Sequence, residues 1–152
     1  MNICAHIEKW RRFDNVRSRF DPIGEFEVWY WSTLSGAMAM INAALHACGI
    51  TKENSRFATQ IPDVYAVMDN SGRWHYEIDV QCDLIHVGLP EIGDEIPRSI
   101  QNIFDAMHEL EIYRDPYVRG LNAVTAQVVS NCDNAYGEIV RAASAVVEMR
   151  KR

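Results

Sequence analysis

The chain has 152 residues, 48% of them hydrophobic and 24% charged, with a net charge of −6. That is the size of one domain, 1–152, long enough to bury a core without disulfide or metal staples. Between 60 and 111, eleven acidic residues stand against Arg73 and Arg98, a local balance of −9. Such a surface repels phosphate and argues against nucleic acid as a partner.

A first helix is expected over 2–20, with Ile3, Ile7, Trp10, Phe13, Val16 and Phe20 on its apolar face. Glu8, Lys9, Arg11 and Arg12 break up this segment, which lacks the apolar core of a secretory signal, so a cytoplasmic location is expected. Arg11, Arg12, Arg17 and Arg19 are read as a solvated face or as partners of the acidic middle. Asp21-Pro22 and Gly24 stop the helix.

A second helix is expected over 25–49, closed by Gly49 in a left-handed conformation. From 28 to 51 the chain has no Asp, Glu, Lys or Arg. Val28, Trp31, Leu34, Met38, Ile41, Leu45 and Cys48 recur at the helical period as an apolar stripe. Ser32, Gly36, Ala39, Ala43 and Ala47 form a second stripe, small enough for another backbone to approach. A membrane span is the rival reading of so long an uncharged run. Ser32, Thr33, Ser35, Asn42 and His46 favour a protein interior over lipid. Two such helices joined by a short turn pack antiparallel.

The stretch 50–97 is dense in turn formers, among them Pro62, Gly88, Pro90, Gly93 and Pro97. A short apolar run at 64–68 precedes the Asn70-Ser71-Gly72 turn. After it Trp74, Tyr76, Ile78 and Val80 alternate with His75, Glu77, Asp79 and Gln81. The alternation predicts a β-hairpin, with a short helix as its rival. A third helix starts at Arg98 behind Pro97 and carries Ile100, Ile103, Met107 and Leu110. Asp115-Pro116 marks a kink or a fresh helix start, and Gly120 ends the short turn that follows. A fourth helix is expected from Leu121 through Val124, Val128, Cys132, Ala135, Ile139, Ala142 and Val146 to Met149.

Cys4, Cys48, Cys82 and Cys132 include no Cys-x-x-Cys pair, which leaves no zinc knuckle or thioredoxin-type motif. Cys48 and Cys132 lie on apolar stripes and read as buried small hydrophobes. The one dense group of possible ligands is His75, Glu77, Asp79, Cys82, Asp83 and His86. As a strand the chain aligns His75, Glu77 and Asp79; as a helix it aligns His75, Asp79, Asp83 and His86. Either set suits a divalent zinc, manganese or iron ion, although the spacing matches no recognised ligand pattern and a solvated face explains it as well. Asp83 three residues before His86 suits acid–base chemistry, or a histidine that fixes a loop. Arg114 and Arg119, with Tyr113, Asp115 and Tyr117 beside them, suit an anion, or a clamp on the acidic residues Glu91, Asp94 and Glu95. No Gly-x-Ser-x-Gly elbow or glycine-rich phosphate loop is present.

The expected fold is mainly α, an antiparallel bundle of about four helices with a small hairpin or irregular insertion between the second and third. Trp29, Tyr30 and Trp31 cannot share one helix face, so some aromatic surface has to meet another element or another subunit, and a homodimer through helix faces is expected. Two functions remain open. One is assembly or partner binding without catalysis. The other is a small-molecule or metal-dependent enzyme with its site around 75–86 and Arg114 with Arg119.

Overall fold

The computed structural model describes residues 1–53, 57–58, 64–78 and 96–150. Four α-helices carry the fold: α1 (Ile3–Arg17), α2 (Phe26–Ala47), α3 (Arg98–Glu111) and α4 (Ala126–Arg150). Between α2 and α3 lie three short strands, β1 (Phe57–Ala58), β2 (Val64–Met68) and β3 (Trp74–Ile78), in the spatial order β1-β2-β3 with antiparallel pairing. Among the described residues no helix is long and apolar enough to cross a membrane.

Helix α1 begins where the Asn2 side chain accepts from the Ala5 N–H at 2.8 Å, filling one of the donors that a helix start leaves open. Its partners run the opposite way. His6 sits beside His46 near the end of α2, and Arg17 reaches Thr33 near the start of α2. Ile3 packs with Ala43 and Val147, and Trp10 meets Tyr136, so α4 also runs antiparallel to α1. Tyr30 of α2 donates to the Leu110 carbonyl at the end of α3 at 2.9 Å. The helices therefore alternate in direction along the chain.

The small stripe on α2 does what its composition predicts. A Cβ on Gly36 would lie 2.9 Å from the Tyr136 hydroxyl oxygen and 3.5 Å from the Phe13 Cβ, so only glycine lets α1 and α4 close on α2 there. Ser32, Ala39 and Ala43 are buried along the same line. The core is completed by Leu34, Ile41 and Leu45 from α2, Ile100, Ile103 and Leu110 from α3, and Val128, Cys132 and Ile139 from α4. Each such aliphatic side chain, once buried, contributes about 2 kcal/mol.

Several expectations need correction. The covered face of α1 is Ile3, His6, Trp10, Phe13 and Arg17, with Ile7 and, just past the helix, Phe20 packed against the core as expected, whereas Val16 is exposed. This stripe has the same three-four period as the apolar one, but it is turned to bring two polar side chains inward. On α2, Val28 and Trp31 of the expected core stripe are exposed, and so is Cys48, which caps the helix end instead of packing. Helix α4 starts at Ala126, where Thr125 caps the Val128 N–H at 3.3 Å, and Leu121 lies fully in solvent ahead of it. At the Asp115-Pro116 junction the chain makes a wide turn of π-helix, Arg114–Arg119. Gly120 ends this turn because a Cβ there would come within 2.6 Å of the Pro116 carbonyl oxygen.

Candidate functional site

The hairpin turn is built by Asp69-Asn70-Ser71-Gly72-Arg73. The Asp69 carboxylate accepts from the Ser71 hydroxyl at 2.6 Å and from the Ser71 and Arg73 backbone N–H groups, which hold it below its usual acid range. Gly72 takes φ +78°, the left-handed position that glycine fills without strain. Gly72 N–H then donates to the Asp69 carbonyl, and Asp69 N–H to the Arg73 carbonyl at 2.9 Å. From that closing bond the register runs Met68 to Trp74, Val67 to His75, Ala66 to Tyr76, Tyr65 to Glu77 and Val64 to Ile78.

The register sorts the side chains onto two faces. One carries Tyr65, Val67, His75 and Glu77, with Tyr65 fully buried and His75 Nε2 2.9 Å from Glu77 Oε1. The other carries Val64, Ala66, Met68, Trp74, Tyr76 and Ile78, and here Trp74, Tyr76 and Ile78 are 55%, 75% and 81% exposed. The apolar side of this amphipathic strand thus faces water, opposite to the usual arrangement of a half-covered sheet.

Of the expected ligand group, His75 and Glu77 are together, and Asp79, Cys82, Asp83 and His86 lie outside the described residues. Among the described residues no group of three or more histidine, cysteine or acidic side chains is placed to hold a metal ion. Arg114 and Arg119 do come together, on one carboxylate. Asp115 accepts from Arg114 Nε at 3.2 Å and from Arg119 at 3.3 Å, while Arg114 also reaches Glu111 at 3.4 Å. Partial burial raises the Glu111 carboxyl above its ordinary range, against the pull of Arg114. The acidic residues Glu91, Asp94 and Glu95, proposed for the clamp, are outside the described residues.

The bundle also holds a polar seam that a reading of the apolar periodicity passes over. Arg17 lies over the rings of Tyr136 and Trp29, 4.3 and 5.3 Å from their centres, donates to Thr33 at 3.1 Å, and pairs with Asp133 and Asp14. Trp10 donates through its indole N–H to the Tyr136 hydroxyl at 2.9 Å, and that hydroxyl donates to Asp14 at 3.1 Å. Burial first, then the Asp14 charge, raises the Tyr136 hydroxyl far above its ordinary range, so it remains a donor at every working pH. Burial likewise pushes the Cys132 thiol up to about 12, which leaves it unreactive. At the far end of the bundle Thr51 bonds His46 at 2.8 Å. There Glu53 accepts from the Ile3 N–H at 3.1 Å and from Arg150 at 2.6 Å. Arg17, previously assigned to a solvated face or to the acidic middle, is a bundle residue. The signal was present in the placing of His6 and Arg17 on one stripe with Ile3, Trp10 and Phe13.

The bonds traced in the seam join α1 to α2 and α4, and the segment after α2 to the start of α1 and the end of α4. The hairpin's open side is the region whose chemistry exceeds what folding needs. A comparison of the chain with protein-family models, with curated proteins and with solved structures finds no match in any of the three.

Proposed function

We propose that this chain is a cytoplasmic helical protein that works by assembly or by binding a protein partner, with a homodimer as its first form, and that it carries no catalytic centre. The observation supporting this most strongly is the solvent-facing side of the hairpin, where Trp74, Tyr76 and Ile78 stand in a row with Met68 beside them. Large apolar side chains aligned on a strand are costly to leave in water and mark surfaces meant for protein. Val28 and Trp31, one helical turn apart on the outer side of α2, add a second exposed apolar pair and keep the helix-face contact in play. The acidic balance of the chain favours protein over nucleic acid as the partner.

Light scattering after size exclusion tests this reading, using the whole chain and a variant with Trp74, Tyr76 and Ile78 all changed to serine. The expected result is a mass above that of one chain, rising with concentration, and a shift toward one chain in the variant while the helical circular dichroism is unchanged. A single-chain mass for the wild type at every micromolar concentration contradicts self-assembly. Association that the triple variant leaves intact removes the hairpin as its seat.

A further inference from the structure

We infer that the chain's two apolar faces are the two halves of one dimer contact: the open side of the hairpin of one copy lies along the outer face of α2 of a second copy, and a two-fold axis repeats the contact the other way. This rests on the reading of the hairpin as the place of assembly and names the surface that the hairpin meets.

The outer face of α2 is a stripe with the spacing of a helix seam, Val28, Trp31, Ser35, Met38, Asn42 and Leu45. Its second half is closed, with Asn42 and Leu45 4% and 0% exposed. Its first half is open: Val28 and Trp31 are 50% and 37% exposed, and Ser35 and Met38 are only half-buried. Other sides of this stretch of helix are taken, by Tyr136 and Phe13 at Gly36 and by the end of α3 at Tyr30. One helix stripe is therefore covered for half of its length and left to water for the rest.

Three properties of that open half fit the hairpin of a second copy. The first is charge. The chain carries −6, so two copies repel over most of their surface and approach most easily where neither face is charged. The stripe and the hairpin row of Met68, Tyr76 and Ile78 contain no charged residue. Their rims are opposite in sign, with Arg73 at the hairpin tip and Glu27 at the start of α2, both exposed. The second is length. From Glu27 to Met38 the helix rises about 16 Å, and from Arg73 to Ile78 the strand extends about 16 Å, so Arg73 beside Glu27 brings Ile78 level with Met38. The third is area. Met68, Tyr76 and Ile78 expose on the order of 400 Å², about half of the roughly 800 Å² that each partner of a stable dimer contributes. Laying hairpin on helix engages both faces of each copy and approaches that size. The contact is also closed, because each copy uses its hairpin once and its helix once, which limits the assembly to two.

The test uses full-length variants, alone and mixed, read by native mass spectrometry and sedimentation. Arg73→Glu sets acid against acid in both contacts of its dimer, and Glu27→Arg sets base against base, so each alone should dimerise about tenfold more weakly than wild type. Mixed in equal amounts, the two should form a heterodimer of wild-type strength, since one contact then keeps the original pair and the other carries it reversed. A hairpin that meets the α2 of its own chain predicts no recovery on mixing, and so does a variant that is merely misfolded. A variant combining Val28→Ser and Trp31→Ser should also lose dimer while its helical circular dichroism is unchanged. Charge variants that dimerise like wild type or fail to recover when mixed overturn this inference and leave assembly through the hairpin standing. So does a dimer that the hairpin serines break and the α2 serines leave intact. A wild type that never dimerises overturns the assembly reading itself.

Discussion

The bundle and the hairpin put opposite kinds of side chain in unusual places. Between α1, α2 and α4 the chain buries a tyrosine hydroxyl and a histidine, partly buries an arginine, and surrounds these with partners: Arg17 with Thr33, Asp133 and two rings, Tyr136 with Trp10 and Asp14, and His46 with Thr51. On the hairpin it exposes tryptophan, tyrosine and isoleucine while the polar residues of the same strand share a face with the buried Tyr65. Satisfied polar groups inside a fold select one register of helix against helix. Apolar groups outside add nothing to folding. The first arrangement accounts for how the chain finds its structure, and the second is where function has to be sought.

Substitutions in the two regions should separate on exactly that line of stability against association. Gly36→Leu forces a side chain into the space held by Tyr136 and Phe13, and it should cost about 3 kcal/mol in urea unfolding. Survival of full stability would mean that α1 and α4 do not close on α2 as described. Arg17→Met keeps much of the packing beneath the two rings but removes the fork that joins three helices. The expected loss is about 2 kcal/mol, discounted because Asp14 and Asp133 are half exposed. A gain in stability would show the seam to be dispensable.

Glu53 gives a pH test of the same region. The Ile3 N–H first, and then Arg150, hold its carboxyl below the ordinary range, so the unfolded chain takes up this proton more readily than the folded one. The stability it contributes is therefore complete above the unfolded value and is lost as pH falls through the folded value. Glu53→Gln should be less stable than wild type at neutral pH, with the gap closing in acid. A gap that widens in acid contradicts the assignment. The smallest effect on stability belongs to the hairpin, where Trp74→Ser and Ile78→Ser should each shift monomer unfolding by no more than about 0.5 kcal/mol. A larger loss would mean that these side chains are part of the core.

Much of this comparison was legible in the residues. The apolar period found all four helices, the small residues of α2 marked the place of closest approach, and Asn70-Ser71-Gly72 with the alternation after it predicted the hairpin. Gly49 ends its helix at φ +72°, as a glycine just past a helix end should. Local pattern failed where a partner far along the chain decides the outcome. Arg17 looks like surface until Asp133 and Tyr136, more than a hundred residues later, are folded against it. Leu121 fits the three-four rhythm of α4, but the helix starts only after Thr125, which supplies a cap that periodicity does not register. The alternation at β3 was read correctly as a strand, yet alternation alone does not say which side faces water. Of the site proposed around 75–86, the structure places His75 beside Glu77, and it assigns Arg114 and Arg119 to Asp115.

Residue-resolved hydrogen exchange at rising protein concentration bears most directly on the division between a bundle that closes on itself and a hairpin proposed as the seat of assembly. The Tyr76 amide points away from β2. Assembly through the hairpin predicts that its protection climbs with concentration while amides of buried α2 residues such as Ile41 stay constant. Fast exchange of Tyr76 at every concentration, in a sample that nevertheless dimerises, would contradict it.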